Sequence, residues 1–193
     1  ASVTLGSAAD TLNSGTFAVN KFLYYEAFYS IPSSGAGDPL LQVNGETSDY
    51  SYQRSIDGGA DSTNASTNSL INNSVASATI YDQGYIINVA GKEKIAMIFS
   101  TYSATTGSGT APNRRQYTAK WADTSDAITS IQINMGSGNL DAGSEITVYG
   151  SEGSSSGGSA ATYPNIPNGA IFEESDTGKH YMFDGTDTWN EIT

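Results

Sequence analysis

The run from Asn20 to Pro32, NKFLYYEAFYSIP, limits the fold more than any other stretch of the chain. Its large residues alternate with period two. Leu23, Tyr25, Ala27, Tyr29 and Ile31 fall on one side, and Phe22, Tyr24 and Phe28 surround Glu26 on the other. A helix would need apolar positions at spacings of three and four, whereas alternation along an extended chain lines one face of a sheet. Tyr and Phe also fit a pleated surface. The side bearing Leu23 is the expected core side, and Pro32 ends the strand because proline has no N–H to donate.

Similar runs recur along the chain at short spacing. LLQVNG reaches an Asn44-Gly45 turn signal, and DYSYQRSIDGG reads as the next strand. YDQGYIINVA leads to a turn at Gly91. KEKIAMIFSTYSATT follows, with Ile95, Met97 and Phe99 on one face and Ala96 and Ile98 on the other. Apolar residues on both faces predict a central strand between two layers. Tyr117, Ala119 and Trp121 share a face, as do Ile131, Ile133 and Met135, and then Ile146 and Val148. Residues 57–79 are polar and low in complexity, and read as a long exposed loop with a short strand at Ser69–Ile71.

About eight such strands, with Gly and Asn turns between them, predict an all-β antiparallel β-sandwich with jelly-roll-like topology over residues 1–150. Residues 151–168 read as a Gly/Ser linker stiffened by Pro164 and Pro167. Residues 169–193 read as a three-stranded meander in which Phe172, Tyr181, Phe183 and Trp189 can share a face. So short a sheet buries little of its own surface, which makes these four aromatics candidate docking residues.

Composition excludes several classes of function. The formal net charge is −12 with eight Lys and Arg, so the basic footprint of a nucleic-acid-binding protein is missing. The same charge opposes an anionic membrane surface. No apolar run approaches the roughly 20 residues of a membrane span. The first ten residues, ASVTLGSAAD, have neither the basic region nor the apolar core of a signal peptide. With no cysteine there are no disulfides, zinc-thiolate sites or thiol nucleophiles.

The motifs that could carry chemistry have plainer readings. GSSSG, at residues 153–157, matches G-x-S-x-G but lacks the strand and helix that make the motif work. His180 is the only histidine and reads as a strand residue. Glu174, Asp184 and Asp187 could offer oxygens to calcium, and Asp57 and Asp61 likewise, but neither group has the order of a calcium loop. Turn chemistry explains both. No cofactor or metal is implied. Tyr50, Tyr52 and Arg54 lie on one side of their strand. They are either candidate glycan contacts or part of the core side. Asn64 and Asn72 open N-x-[ST] sequences and are candidate glycosylation sites in the polar stretch.

Two parts of the chain resemble known proteins. NGAIFEESDTGKHYMFDGTDTW, residues 168–189, resembles the short C-terminal module of structural proteins of tailed phages and related archaeal viruses. In that module a glutamate-rich strand precedes DTGK, then an aromatic strand, then DG and a Trp. YQRSIDGGAD, INVAGKEKIAMI, APNRRQYTAKWADTSDAITSIQI and AGSEITVYG resemble a β-rich family of viral structural proteins. The resemblance implies a non-enzymatic virion component at the particle surface: a capsid decoration, spike or tail fibre. It implies other virion proteins as partners and a homo-oligomer, commonly a trimer. A host-surface glycan is a further implied partner, and the alternative is a carbohydrate-binding module of a cell-surface or secreted protein.

Overall fold

The computed structural model describes residues 1–32, 36–73, 75–151, 167–185 and 188–192. In chain order the strands are β1 Ser2–Thr4, β2 Thr11–Asn13, β3 Phe22–Ser30, β4 Ala36–Gly37, β5 Pro39–Val43, β6 Tyr50–Ile56, β7 Ser62–Thr67, β8 Ile71–Asn72 and β9 Val75–Ala76. They continue as β10 Thr79–Ile87, β11 Lys94–Ser103, β12 Asn113–Trp121, β13 Ile131–Met135, β14 Glu145–Ser151, β15 Ile171–Glu174, β16 Lys179–Phe183 and β17 Trp189–Ile192. There is no helix among the described residues, hence none long and apolar enough to cross a membrane. Contacts divide the chain into two compact units, Ala1–Gly153 and Ser154–Thr193.

The first unit is an antiparallel β-sandwich. Its larger sheet has eight strands in the order β1-β14-β3-β10-β11-β12-β6-β7, and its smaller sheet has four, β2-β13-β5-β8. A two-stranded ladder joins β4 to β9. One core lies between the sheets. The large sheet supplies Leu23, Tyr25, Ile80, Ile98 and Trp121, and the small sheet supplies Leu12, Leu41, Val43, Ile131 and Ile133. Packing two alternating faces against each other is the ordinary way for two sheets to leave water.

Gly84 shows how tight that packing is. A β-carbon there would lie 2.7 Å from the Tyr25 ring and 2.8 Å from Ile98, so the missing side chain makes room for the tyrosine. Asn44 and Gly45 both take positive φ, 54° and 74°, as a tight turn requires. That turn does not close a hairpin, because β5 and β6 belong to different sheets. The Asn44 side chain instead holds the 127–130 segment, accepting from Thr129 N at 2.9 Å and donating to Ala127 O at 2.9 Å.

Three expectations need correction. The polar stretch 57–79 is not a loop, since it contains β7, β8 and β9. β7 forms one edge of the large sheet, and the β6–β7 register shifts between Tyr50 and Tyr52. Ser66 sits in that irregular strand with φ of 54°. A bulged, polar edge strand has no clean alternation to read. The short strand near Leu70 is Ile71–Asn72 rather than Ser69–Ile71. Finally, β11 is central in its sheet, but only one of its faces is covered. Ala96 and Ile98 are buried, whereas Ile95, Met97 and Phe99 are exposed.

The second unit contains the three-stranded sheet β15-β16-β17, with Phe172 opposite Tyr181 and Phe183 opposite Trp189. The expected linker lies almost wholly outside the described residues.

Candidate functional site

The exposed half of β11 is part of a larger surface. Strands β14, β3, β10 and β11 run side by side in continuous register, so their outward residues form rows across the sheet. One row is Tyr149, Tyr24, Tyr85 and Met97. The row on one side is Phe22, Ile87 and Ile95, and on the other are Glu26, Gln83 and Phe99, then Phe28 and Tyr81. Nine of these large side chains are 38–61% exposed, Tyr85 at 61% and Met97 at 55% among them. Their strands turn the opposite parity into the core, so the same alternation that builds the sandwich also builds this face.

The polar groups on the face are bonded to one another. Glu26 accepts from the Tyr149 hydroxyl at 3.0 Å and from the Tyr81 hydroxyl at 3.3 Å. The Tyr24 hydroxyl donates to Gln83 Oε1 at 3.1 Å. Burial, and then contact with Tyr24 and Glu26, pushes Tyr81 up to about 12. The hydrogen bond to Glu26 and its negative charge raise Tyr149 as well. Both hydroxyls therefore remain donors at neutral pH. The ring centroids of Tyr24 and Tyr85 are 5.0 Å apart, and those of Tyr24 and Tyr149 are 5.8 Å apart. The Tyr24 and Tyr149 rings are stacked, with 28° between their planes, and the Tyr24 and Tyr85 rings are tilted by 38°.

Under the opposite face lies a buried polar cluster that sequence reasoning missed. Asp82 on β10 is fully buried. It accepts hydrogen bonds from the Tyr29 hydroxyl and, at 3.1 Å, from Asn73 Nδ2. Asn73 also donates to the Ser100 hydroxyl at 3.0 Å. Burial pushes the Asp82 carboxyl up to about 6, against the lowering effect of Ser100, Tyr29, Asn73 and the Arg115 charge. Tyr117 donates to the Asn72 carbonyl at 2.8 Å, and the Arg115 guanidinium lies 4.8 Å from the Tyr102 ring centre. The cluster ties the segment after β8 to the large sheet. The polar parity positions Asp82 and Ser100 were the available signal, because each falls among inward residues of its strand.

Tyr50 and Tyr52 are 1% and 7% exposed and line the core, with no face open to a sugar. Tyr50 accepts from Val43 N at 3.0 Å and stacks on Trp121 at 6.2 Å, while Arg54 Nη1 donates to Asn72 O at 3.3 Å. Asn64 lies in β7 and Asn72 in β8, so neither sits in the expected loop. Asn72 is flanked by Ile71 and Asn73, both fully buried.

The carboxylates of the calcium candidates have protein partners. Asp57 accepts from Arg114 N and Asn113 Nδ2, each at 2.8 Å, and these bonds hold its carboxyl below the usual range. Asp61 accepts from Gln53 at 2.8 Å. Glu174 accepts from Thr177, and Asp184 Oδ1 accepts from Thr188 N at 3.2 Å. Asp187, like GSSSG, is outside the described residues. No group of three or more His, Asp or Glu able to hold a metal occurs among the described residues. His180 Nε2 is 3.9 Å from Glu173 on the exposed surface of its hairpin.

In the meander the four aromatics do come together. Phe172 is 6.4 Å from Tyr181 and 6.0 Å from Trp189, and Phe183 is 5.2 Å from Trp189, centre to centre. Phe172 remains 53% exposed. The other face carries Ile171, Met182 and Ile192, also exposed. No family model, no curated protein and no solved structure matches this chain.

Proposed function

We propose that this chain is a non-enzymatic structural protein of a virus particle, acting at the particle surface in assembly or host attachment as a capsid decoration, spike or tail-fibre component. It works by burying complementary surface, with no covalent chemistry. The observation that carries this reading is the outward face of β14, β3, β10 and β11, where nine large side chains stay exposed and the polar groups between them are already bonded. A contiguous apolar surface of this kind marks a protein–protein contact. The sequence resemblances to viral structural proteins supply the virion part.

Glycan binding draws less support. Sugar rings stack on open aromatic faces, but Tyr24 packs against both Tyr85 and Tyr149, while Tyr50 and Tyr52 lie in the core. Mass spectrometry of purified particles from the source culture tests the reading. The expected result is this chain at stoichiometric level, with antibody labelling on the outside of intact particles. Particles lacking it would overturn the proposal.

A further inference from the structure

The open face is wide enough, and its tyrosine hydroxyls are bonded well enough, to be covered by another sheet, and we propose that its occupant is the same face of a second copy of this chain. This inference does not depend on the virion reading. Three observations lead to it.

The first is area. Fully exposed aromatic side chains offer about 150–250 Å² each. Nine large residues, each roughly half exposed, therefore present on the order of 800 Å², which is what one partner contributes to a standard stable interface. Patches on monomeric proteins are generally smaller than that.

The second is shape and chemistry. The four strands pair without a register break. Their outward rows have the same alternating, close-set form as the rows that pack against the small sheet. Sheet-on-sheet packing at a spacing of about 10 Å suits both faces equally. Covering this face leaves few polar groups stranded, because the Tyr24, Tyr81 and Tyr149 hydroxyls already donate to Gln83 and Glu26.

The third is the distribution of charge. Glu145 lies on β14 at one edge of the face and Arg114 on β12 at the other, both in the row that holds Phe28 and Tyr81, whereas Lys120 is paired with Glu93 of its own chain at 3.0 Å. A two-fold axis parallel to the strands turns each flank onto the opposite flank of the partner. Glu145 then comes to the flank that carries Arg114 in the second copy, at the same level along the strands. A two-fold contact requires such self-complementarity.

Sedimentation equilibrium of the full chain, from about 1 to 100 µM at 0.15 M salt, tests the proposal; that range brackets a Kd of ordinary strength. The expected result is a dimer that Tyr85→Glu together with Met97→Glu weakens at least 100-fold, with circular dichroism unchanged. A chain that stays monomeric at 100 µM, a trimer or larger assembly, or a dimer indifferent to both substitutions would overturn it. The last outcome would point to another contact, and the first to a different protein on this face.

A second arm does not rely on the charged variants folding. The chain has no cysteine, so one introduced thiol can cross-link only between copies. Gln83→Cys, Tyr85→Cys, Ile95→Cys and Met97→Cys are oxidised separately at 20 µM. At least one is expected to give a covalent dimer, while Thr63→Cys on β7 gives none. Failure of all four to cross-link would sink the two-fold arrangement.

Discussion

The sandwich and the C-terminal meander are built from the same kind of strand and differ in what lies opposite. In the sandwich, Tyr25, Tyr29, Trp121 and the isoleucines of β13 are almost completely removed from water. In the meander, alternation is as regular and the aromatics as large, yet none of its described residues is buried. The outward face of the large sheet behaves like the meander although it belongs to the larger unit. Residue type and period therefore do not set the stabilisation; a second layer does. Burial of apolar area contributes about 25 cal/mol per Å² only where water is displaced.

The largest effect that would sharpen this contrast comes from the two tryptophans. Trp121→Ala removes a buried ring that stacks on Tyr50 and carries the Lys94 ammonium 5.5 Å from its centre, and a loss of about 3–5 kcal/mol is expected in urea unfolding of the sandwich. Trp189→Ala is expected to leave that same transition within about 0.5 kcal/mol, as an exposed substitution does. Equal losses from the two would break the comparison.

Asp82 gives the next effect and a pH signature. Its folded pKa is about 6, above the unfolded value, so the folded state binds the extra proton between roughly pH 4 and 6. Stability from this group is therefore full below that window and falls as pH rises through it, by an amount on the order of 3 kcal/mol. Denaturation of Asp82→Asn compared with the parent from pH 4 to 8 should show the variant lacking this downward component. Parallel curves would show that the buried carboxyl is not raised.

Gly84→Ala tests how closely the covered face is packed. Its added methyl meets Tyr25 and Ile98, so about 1–3 kcal/mol should be lost, read from the shift in denaturation midpoint. The smallest effect is expected on the open side of the same sheet. Met97→Thr should change the stability of the monomer by no more than about 0.5 kcal/mol, measured at concentrations too low for association. A cost near that of Gly84→Ala would mean that the outward face is already covered within one chain.

Much of the fold is legible in the sequence wherever a strand alternates cleanly. β3, β12, β13 and β14 turn inward the side chains that parity assigns to the core. The misreadings have physical causes. β7 is a polar edge strand with a bulge, and edge strands need no apolar side to hold them. β8 and β9 are two residues long, too short to show any period. The apolar outer side of β11 looks like a second buried face because sequence records hydrophobicity and not what covers it. Asp82 and Ser100 fall at inward parity, but their grouping with Tyr29, Asn73 and Arg115 was not legible because these residues come from separate segments.

By itself the sequence determined that the chain is all-β, which side chains share a face, and that the C-terminal aromatics can meet. These follow from a period of two, which depends only on local backbone geometry. Tertiary structure alone decided the strand order, with β14 inserted between β1 and β3, and decided that four strands cover one side of an eight-stranded sheet. It also decided that Glu26 sits among tyrosines on an open surface while Asp82 is sealed beneath one. Those outcomes depend on pairings between distant segments and on which layer reaches which face, and neither is written in the alternation of any single strand.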